Sequence, residues 1–145
     1  MPSPKLNTKL ESEGAEFLVL GALLLERIPT YKTYTNMPGY DLVATNPENK
    51  RSARIQVKSR WASGTSGFPI KNFDCEFVVF ARLNRGNKSG TKPPSAPEFF
   101  VFPSSELAGL HRSDGWKKIR LNDLEDWKSY KDRWDLVRDF LERAR

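Results

Sequence analysis

Hydrophobic positions along the chain change their period several times, and each change marks an element. From Phe17 to Leu25 the run is apolar nearly all round, the pattern of a buried helix. Just upstream, Thr8-Lys9-Leu10-Glu11 has the spacing of a capping box, with Thr8 as N-cap and Glu11 reaching back. The helix is therefore predicted over 8–27, stopped by Pro29. Alternation of period two follows. Tyr31 to Thr35 and Tyr40 to Thr45 read as strands around an Asn36-Met37-Pro38-Gly39 turn. Asn46-Pro47-Glu48-Asn49 is a hairpin loop, and Arg54 to Arg60 is the returning strand. On that strand Ile55 and Val57 take the core face, which leaves Gln56 and Lys58 together on the other.

The second half is less regular. Trp61 to Asn72 is Gly/Ser-rich and reads as a mobile loop. Cys75 to Ala81 is almost continuously apolar, as a strand buried on both faces would be. Asn84 to Pro97 is a basic Gly/Pro loop without periodicity. Glu98 to Phe102 is a further strand ended by Pro103, and Ser104 to Leu110 a short helix capped by Ser104 or Ser105. Asn122-Asp123-Leu124-Glu125 has cap-like spacing. Trp127, Tyr130, Trp134, Val137 and Leu141, in steps of three and four, predict an amphipathic C-terminal helix within a 121–145 extension.

The length, 145 residues, suits one domain spanning the chain, with residues 1–7 as a loose tail. Hydrophobic residues at 38% and charged residues at 29% fit a globular protein. The apolar run in the first helix is too short for a bilayer, and Met1 to Glu16 has no signal-peptide layout, so no membrane and a cytoplasmic location are expected. A single cysteine, Cys75, excludes an internal disulfide framework. The formal charge of +6 is concentrated: residues 50–97 carry ten basic and two acidic side chains, whereas 98–145 carry ten of each. Nucleic acid is the simplest polyanion to match that excess, and a solvated basic surface accounts for it equally well. Arg54, Arg60, Arg82, Arg85, Lys88 and Lys92 are the candidate phosphate contacts.

Asp41 opens one strand of the hairpin, and Gln56-Val57-Lys58 lies on the other. With Glu16 on the preceding helix, the order helix-Glu, strand-Asp, strand-QxK resembles the PD-(D/E)xK nuclease superfamily over about residues 8 to 103. Pro38 is a loose counterpart of the proline in that name. The resemblance implies an α/β fold with a restriction-endonuclease-like core: a helix, then a mixed, mainly antiparallel sheet with flanking helices. It also implies catalytic roles for Glu16, Asp41, Gln56 and Lys58. A Mg²⁺ (or Mn²⁺) ion would be held by Asp41, Gln56, Glu16 and the Val57 carbonyl. The substrate would be nucleic acid, with DNA the first expectation, and the chain is a candidate homodimer. Gln56 departs from the commoner acidic form, and its neutral amide oxygen is a weaker ligand.

Each of these residues has a plainer explanation. Glu16 could be a surface acid favoured near the start of a helix. Asp41 could cap the Pro-Gly turn. Gln56 could face solvent, and Lys58 could guard a strand edge. His111, the only histidine, lies in a turn-like setting and reads as a surface residue. Cys75 reads as a packing residue. No P-loop, dinucleotide fingerprint, zinc spacing or internal repeat occurs. Two function classes therefore remain open: a metal-dependent nuclease, and a non-catalytic nucleic-acid-binding module or inactive partner subunit on the same fold.

Overall fold

A computed structural model describes residues 8–33 and 39–143. Helix α1 (Thr8–Leu25) leads into strands β1 (Thr30–Lys32), β2 (Leu42–Asn46) and β3 (Arg51–Arg60). The short strand β4 (Gly67–Pro69), the long strands β5 (Phe77–Arg82) and β6 (Glu98–Pro103), and helix α2 (Ser104–Ala108) follow. Strand β7 (Lys118–Arg120), two 3₁₀ turns and helix α3 (Trp134–Glu142) complete the described chain. The main sheet has the order β1-β2-β3-β5-β6. Only the β3–β5 pairing is parallel, and the other three are antiparallel. This is the expected mixed sheet, and β5 is buried on both faces as its apolar run required. The predicted strand 31–35 is described only as far as Thr33, and Pro38 also lies outside the described residues.

Two cores flank the sheet. On one side α1 and α3 supply Val19, Leu23, Trp134, Val137 and Leu141 against Ile55 and Val79. On the other side Phe68, Ile70, Phe80, Phe100, Phe102, Ile119 and Trp127 form an aromatic-rich layer. Because side chains alternate along a strand, β3 sends Ile55 and Val57 to the helix side. Gln56 and Lys58 stand beside Val78 and Phe80 on the aromatic side.

Three expectations need correction. First, α1 is buried on one stripe only. Ala15, Val19 and Leu23 are inside, whereas Phe17, Leu18, Leu24 and Leu25 remain between 44% and 87% exposed. The helix lies on one face of a sheet, so among the described residues its far side stays largely exposed. Glu11, in the first turn, also reaches the sheet, where its carboxylate accepts a hydrogen bond from Ser59 Oγ at 3.2 Å.

Second, the Gly/Ser-rich segment 61–72 is a packed crossing. It contains β4, which pairs with β7, and Phe68 and Ile70 are fully buried. Gly67 is there because a Cβ would lie 2.5 Å from the Ile119 carbonyl oxygen. Sequence alternation did not reveal β7, whose three residues are too few to show a period.

Third, the aromatic stripe from Trp127 to Leu141 is not one helix. The chain makes a 3₁₀ turn at Trp127–Tyr130, breaks at Asp132 (φ 54°), and begins α3 at Trp134. The Asp132 amide donates to the Phe99 carbonyl at 2.8 Å, so the break runs along the free edge of β6. The break lets Trp127 enter the aromatic core and Trp134 the helical one. At α2, Ser104 does not cap the helix, and its hydroxyl lies 3.3 Å from Cys75 Sγ instead. Cys75 packs in the interior as expected.

The C-terminus of α3 is closed by the β2–β3 hairpin. Asn46 and Asn49 donate to the Leu141 carbonyl and Arg51 to that of Phe140, so the helix's last carbonyls are satisfied from a distant loop. No described helix is long and apolar enough to cross a membrane.

The one-sided burial of α1 gives a direct test. Leu23→Ala is expected to cost about 2–5 kcal/mol in urea denaturation. Leu25→Ala, on the same helix but 87% exposed, should stay within about 0.5 kcal/mol of wild type. Equal losses would mean that the outer face is buried.

Candidate active site

Asp41 lies immediately before β2, at the point where that strand leaves the sheet. Its amide still donates to the Ile55 carbonyl at 2.8 Å, but the chain before it turns away. Gly39 makes that turn at φ 86°, and a Cβ there would lie 2.6 Å from both Asn72 Oδ1 and Asp74 Cβ. The departure of the chain leaves the Val57 amide without a ladder partner. Asp41 Oδ2 accepts that hydrogen bond at 2.8 Å, so the carboxylate takes the place of the missing backbone carbonyl.

The four sequence candidates surround this notch from both faces. The β2–β3 register ends at Leu42 opposite Ile55, and the Asp41 amide also bonds the Ile55 carbonyl, so Asp41 sits at a break in the ladder. Gln56 and Lys58 share one face of β3, and the Lys58 charge acts on Asp41. Gln56 Oε1 is buried and has no hydrogen-bond partner. Glu16 arrives from α1, on the other face. Its carboxylate accepts from Lys32 Nζ at 3.2 Å, and Glu13 lies 3.1 Å from the same ammonium. Lys32 was not among the sequence candidates. Its side chain, only 6% exposed, supplies a fixed cation between helix and notch. Its place on β1, in register with Leu42, puts it on the α1 face, but sequence alone did not reveal that α1 carries two acids there.

Burial sets the protonation behaviour of the cluster. It pushes the Asp41 carboxyl above the usual aspartate range, and the Val57 amide and the charges of Lys58 and Lys32 only partly offset it. Burial and the Asp41 charge raise Glu16, with Lys32 opposing. Lys58 is lowered by burial; Asp41 opposes and Lys71 reinforces the shift. For Lys32 burial acts downward, but the two glutamates outweigh it and the net shift is upward.

Among the described residues no group of three or more His, Cys, Asp or Glu side chains forms a metal cage. The donor set still fits a hard cation that keeps most of its waters, since one or two carboxylates then suffice. Asp41 contributes a carboxylate, and the unpartnered Gln56 Oε1 is an oxygen held in the right chemical state to bind. Val57 is engaged through its amide, which orients Asp41.

The basic candidates divide into two groups. Arg82 is clamped: it bonds Glu98 and the Thr65 carbonyl, and its guanidinium lies over the rings of Phe100 and Trp127. Arg54 makes a two-point pair with Glu76, and Arg85 reaches the Leu83 and Ser95 carbonyls of its own loop. Lys88 and Lys92 are exposed, and Arg60 shares the face of Gln56 and Lys58. The loop carrying Lys88 and Lys92 is tied at its base by Ser63–Gly86 backbone bonding and by the buried Asn84, which donates to the Ala96 carbonyl and to Glu98. His111 is exposed in a turn, as its sequence setting suggested.

The fold is α/β, a leading helix followed by a mixed, mainly antiparallel sheet with flanking helices, as expected of a restriction-endonuclease-like core. Among solved structures the chain is similar to a bacterial homing endonuclease, I-Ssp6803I, with a TM-score of 0.67 and 17% identity over 97% of this chain and 100% of that one. At that identity the likeness is one of fold. No protein-family model and no curated protein matches the chain.

The clamp on Arg82 has a consequence in acid. Burial would raise Glu98, but Asn84, Arg82 and Lys131 outweigh it and hold its carboxyl below the usual glutamate range. A depressed folded pKa contributes stability above the unfolded value and loses it as pH falls through the folded one. Melting temperature should therefore drop in acid, and Glu98→Gln should start lower at neutral pH and depend less on pH. Parallel melting curves from roughly pH 3 to 7 would contradict the clamp.

Proposed function

We propose that the chain is a metal-dependent nuclease that hydrolyses phosphodiester bonds in DNA, with Mg²⁺ or Mn²⁺ as the cofactor. The observation that carries this reading is the notch itself. A half-buried, oriented carboxylate, a buried amide oxygen with no partner and a partly desolvated lysine lie on neighbouring residues where one strand leaves a sheet. Unpartnered buried polar atoms are costly in a folded protein, and a ligand for Gln56 Oε1 removes that cost. The endonuclease named among similar structures supports the same reading at the level of fold.

Each residue has a separate task. A bound divalent ion would neutralise phosphate charge and favour ionisation of an attacking water. Asp41 is its charged ligand, held in one orientation by the Val57 amide. Gln56 adds a neutral oxygen. Lys58, with its pKa lowered by burial, has a larger fraction of free amine to take a proton at Nζ, and when charged it stabilises the developing oxyanion. Lys32 fixes Glu16 beside the notch, where Glu16 can hold a water. Lys88, Lys92 and Arg60 are the cations in position to meet phosphates along the strand.

One observation favours the second reading, a DNA-binding module without catalysis: Glu16 already has a cation, Lys32, as its partner. Calorimetric titration with Mn²⁺, run beside plasmid cleavage, separates the two. The wild type should bind Mn²⁺ and nick DNA, and Asp41→Asn should lose both. Lys58→Ala should keep metal binding while cleavage falls on the order of 100-fold or more. Gln56→Glu should bind metal more tightly with activity kept. A wild type that binds DNA but neither binds Mn²⁺ nor cleaves would leave the binding module standing.

A further inference from the structure

The two-stranded ribbon β4–β7 ends in a tight hairpin that the notch does not use. Arg112 bridges to Ile119, and the turn is closed by Ser113 N–H to the Lys118 carbonyl at 3.0 Å and Lys117 N–H to the Ser113 carbonyl at 3.1 Å. Ser113 Oγ accepts the Lys118 amide at 3.1 Å. At the tip stands Trp116, 84% exposed. Ile119 is fully buried, so Lys118 and Arg120 on either side of it point outward. Residues 111–120 carry Arg112, Lys117, Lys118 and Arg120 against one acid, Asp114, whereas the rest of 98–145 carries six basic and nine acidic side chains. Arg120 lies 3.7 Å from Asp123.

The ribbon is bound to the face that carries Gln56 and Lys58. Phe68 of β4 packs on Phe80 with ring centroids 5.1 Å apart, and Phe80 is the register partner of Lys58. The Ile70 amide donates to the Lys117 carbonyl at 3.1 Å. Arg112 donates to the Ile70 and Lys71 carbonyls and lies over the Phe73 ring, which fixes the hairpin's base. Lys71 is close enough to Lys58 for its charge to act on it. These contacts tie the base of the hairpin to segment 68–73, on the sheet face that carries Gln56 and Lys58.

A tryptophan this exposed is not packing, and the hairpin that carries it has four cations, Arg112, Lys117, Lys118 and Arg120. An exposed apolar ring on a basic hairpin matches a nucleic acid, whose grooves offer sugars and base edges between phosphates. A two-stranded ribbon also fits a DNA groove. We propose that this hairpin is a second DNA-contacting element, with Trp116 packed against a base or sugar in a groove beside the cleaved phosphate and Lys117, Lys118 and Arg120 on flanking phosphates. The proposal rests on the DNA part of the function proposed above and adds a site for duplex recognition outside the catalytic notch.

Binding of a fluorescent DNA duplex in EDTA tests it without requiring cleavage. Trp116→Ala should weaken binding on the order of 10- to 100-fold. Its melting temperature and Mn²⁺ titration should match wild type, because the side chain is 84% exposed and is none of the proposed metal ligands. Lys117→Gln and Lys118→Gln should each lower the slope of log K against log salt by about 1. A single strand of the same sequence should bind more weakly than the duplex. Wild-type affinity in Trp116→Ala together with an unchanged salt slope in both lysine variants would overturn the proposal, as would a wild type that binds no DNA. DNA binding that depends on Trp116 in a protein that cleaves nothing would sink the nuclease reading and leave the hairpin standing.

Discussion

The site depends on one hydrogen bond, from the Val57 amide to Asp41 Oδ2. β3 needs partners on both edges, and on the β2 side the partner strand ends one residue too early. A backbone N–H left bare at that depth costs on the order of 1–3 kcal/mol. The Asp41 carboxylate removes that cost, and in doing so it is held at Val57, where the charges of Lys58 and Lys32 act on it. In the function proposed above, a structural need and a chemical use would be met by the same atoms. Asp41 has two oxygens, and the bond to Val57 occupies only one.

The parallel β3–β5 pairing gives the notch its environment. A strand paired on both edges and packed on both faces keeps water from its neighbours. Lys58 therefore stands beside Phe80 rather than in solvent, and the shifts on Asp41, Glu16 and Lys58 all begin with burial. Groups so placed are poised to exchange protons or ligands at small cost. Lys32 balances the cluster from the helix side. Without its ammonium, Glu13, Glu16 and Asp41 would bring three negative charges together in a partly dry place.

The basic surface divides by chemistry. Arginines with planar donor forks were recruited into the fold: Arg82 between two rings and Glu98, Arg54 onto Glu76, Arg51 onto the end of α3. The exposed cations left over are mostly lysines, on the 84–97 loop and on the Trp116 hairpin. Net charge therefore overstated what is free to meet a polyanion, and it also hid the hairpin, whose cations are diluted by acids elsewhere in the last third of the chain.

The hairpin with Asp41, Gln56 and Lys58 was legible because alternation of period two is local: once Ile55 and Val57 are assigned inward, Gln56 and Lys58 must share the other face. The buried β5 was legible from its unbroken apolar run, and α1 from the apolar stretch that begins at Phe17. The C-terminal stripe misled because its spacing fits one helix, and only the sheet edge at Phe99 decides that the chain must break so that Trp127 and Trp134 fill opposite cores. The β4–β7 ribbon was invisible because three-residue strands carry no period and Gly67 reads as flexibility until Ile119 is placed against it. Sequence determined which residues could face one another within an element. Tertiary structure alone decided which charges were consumed by the fold, since Lys32 meets Glu16, and Arg82 meets Glu98, only after distant segments pack.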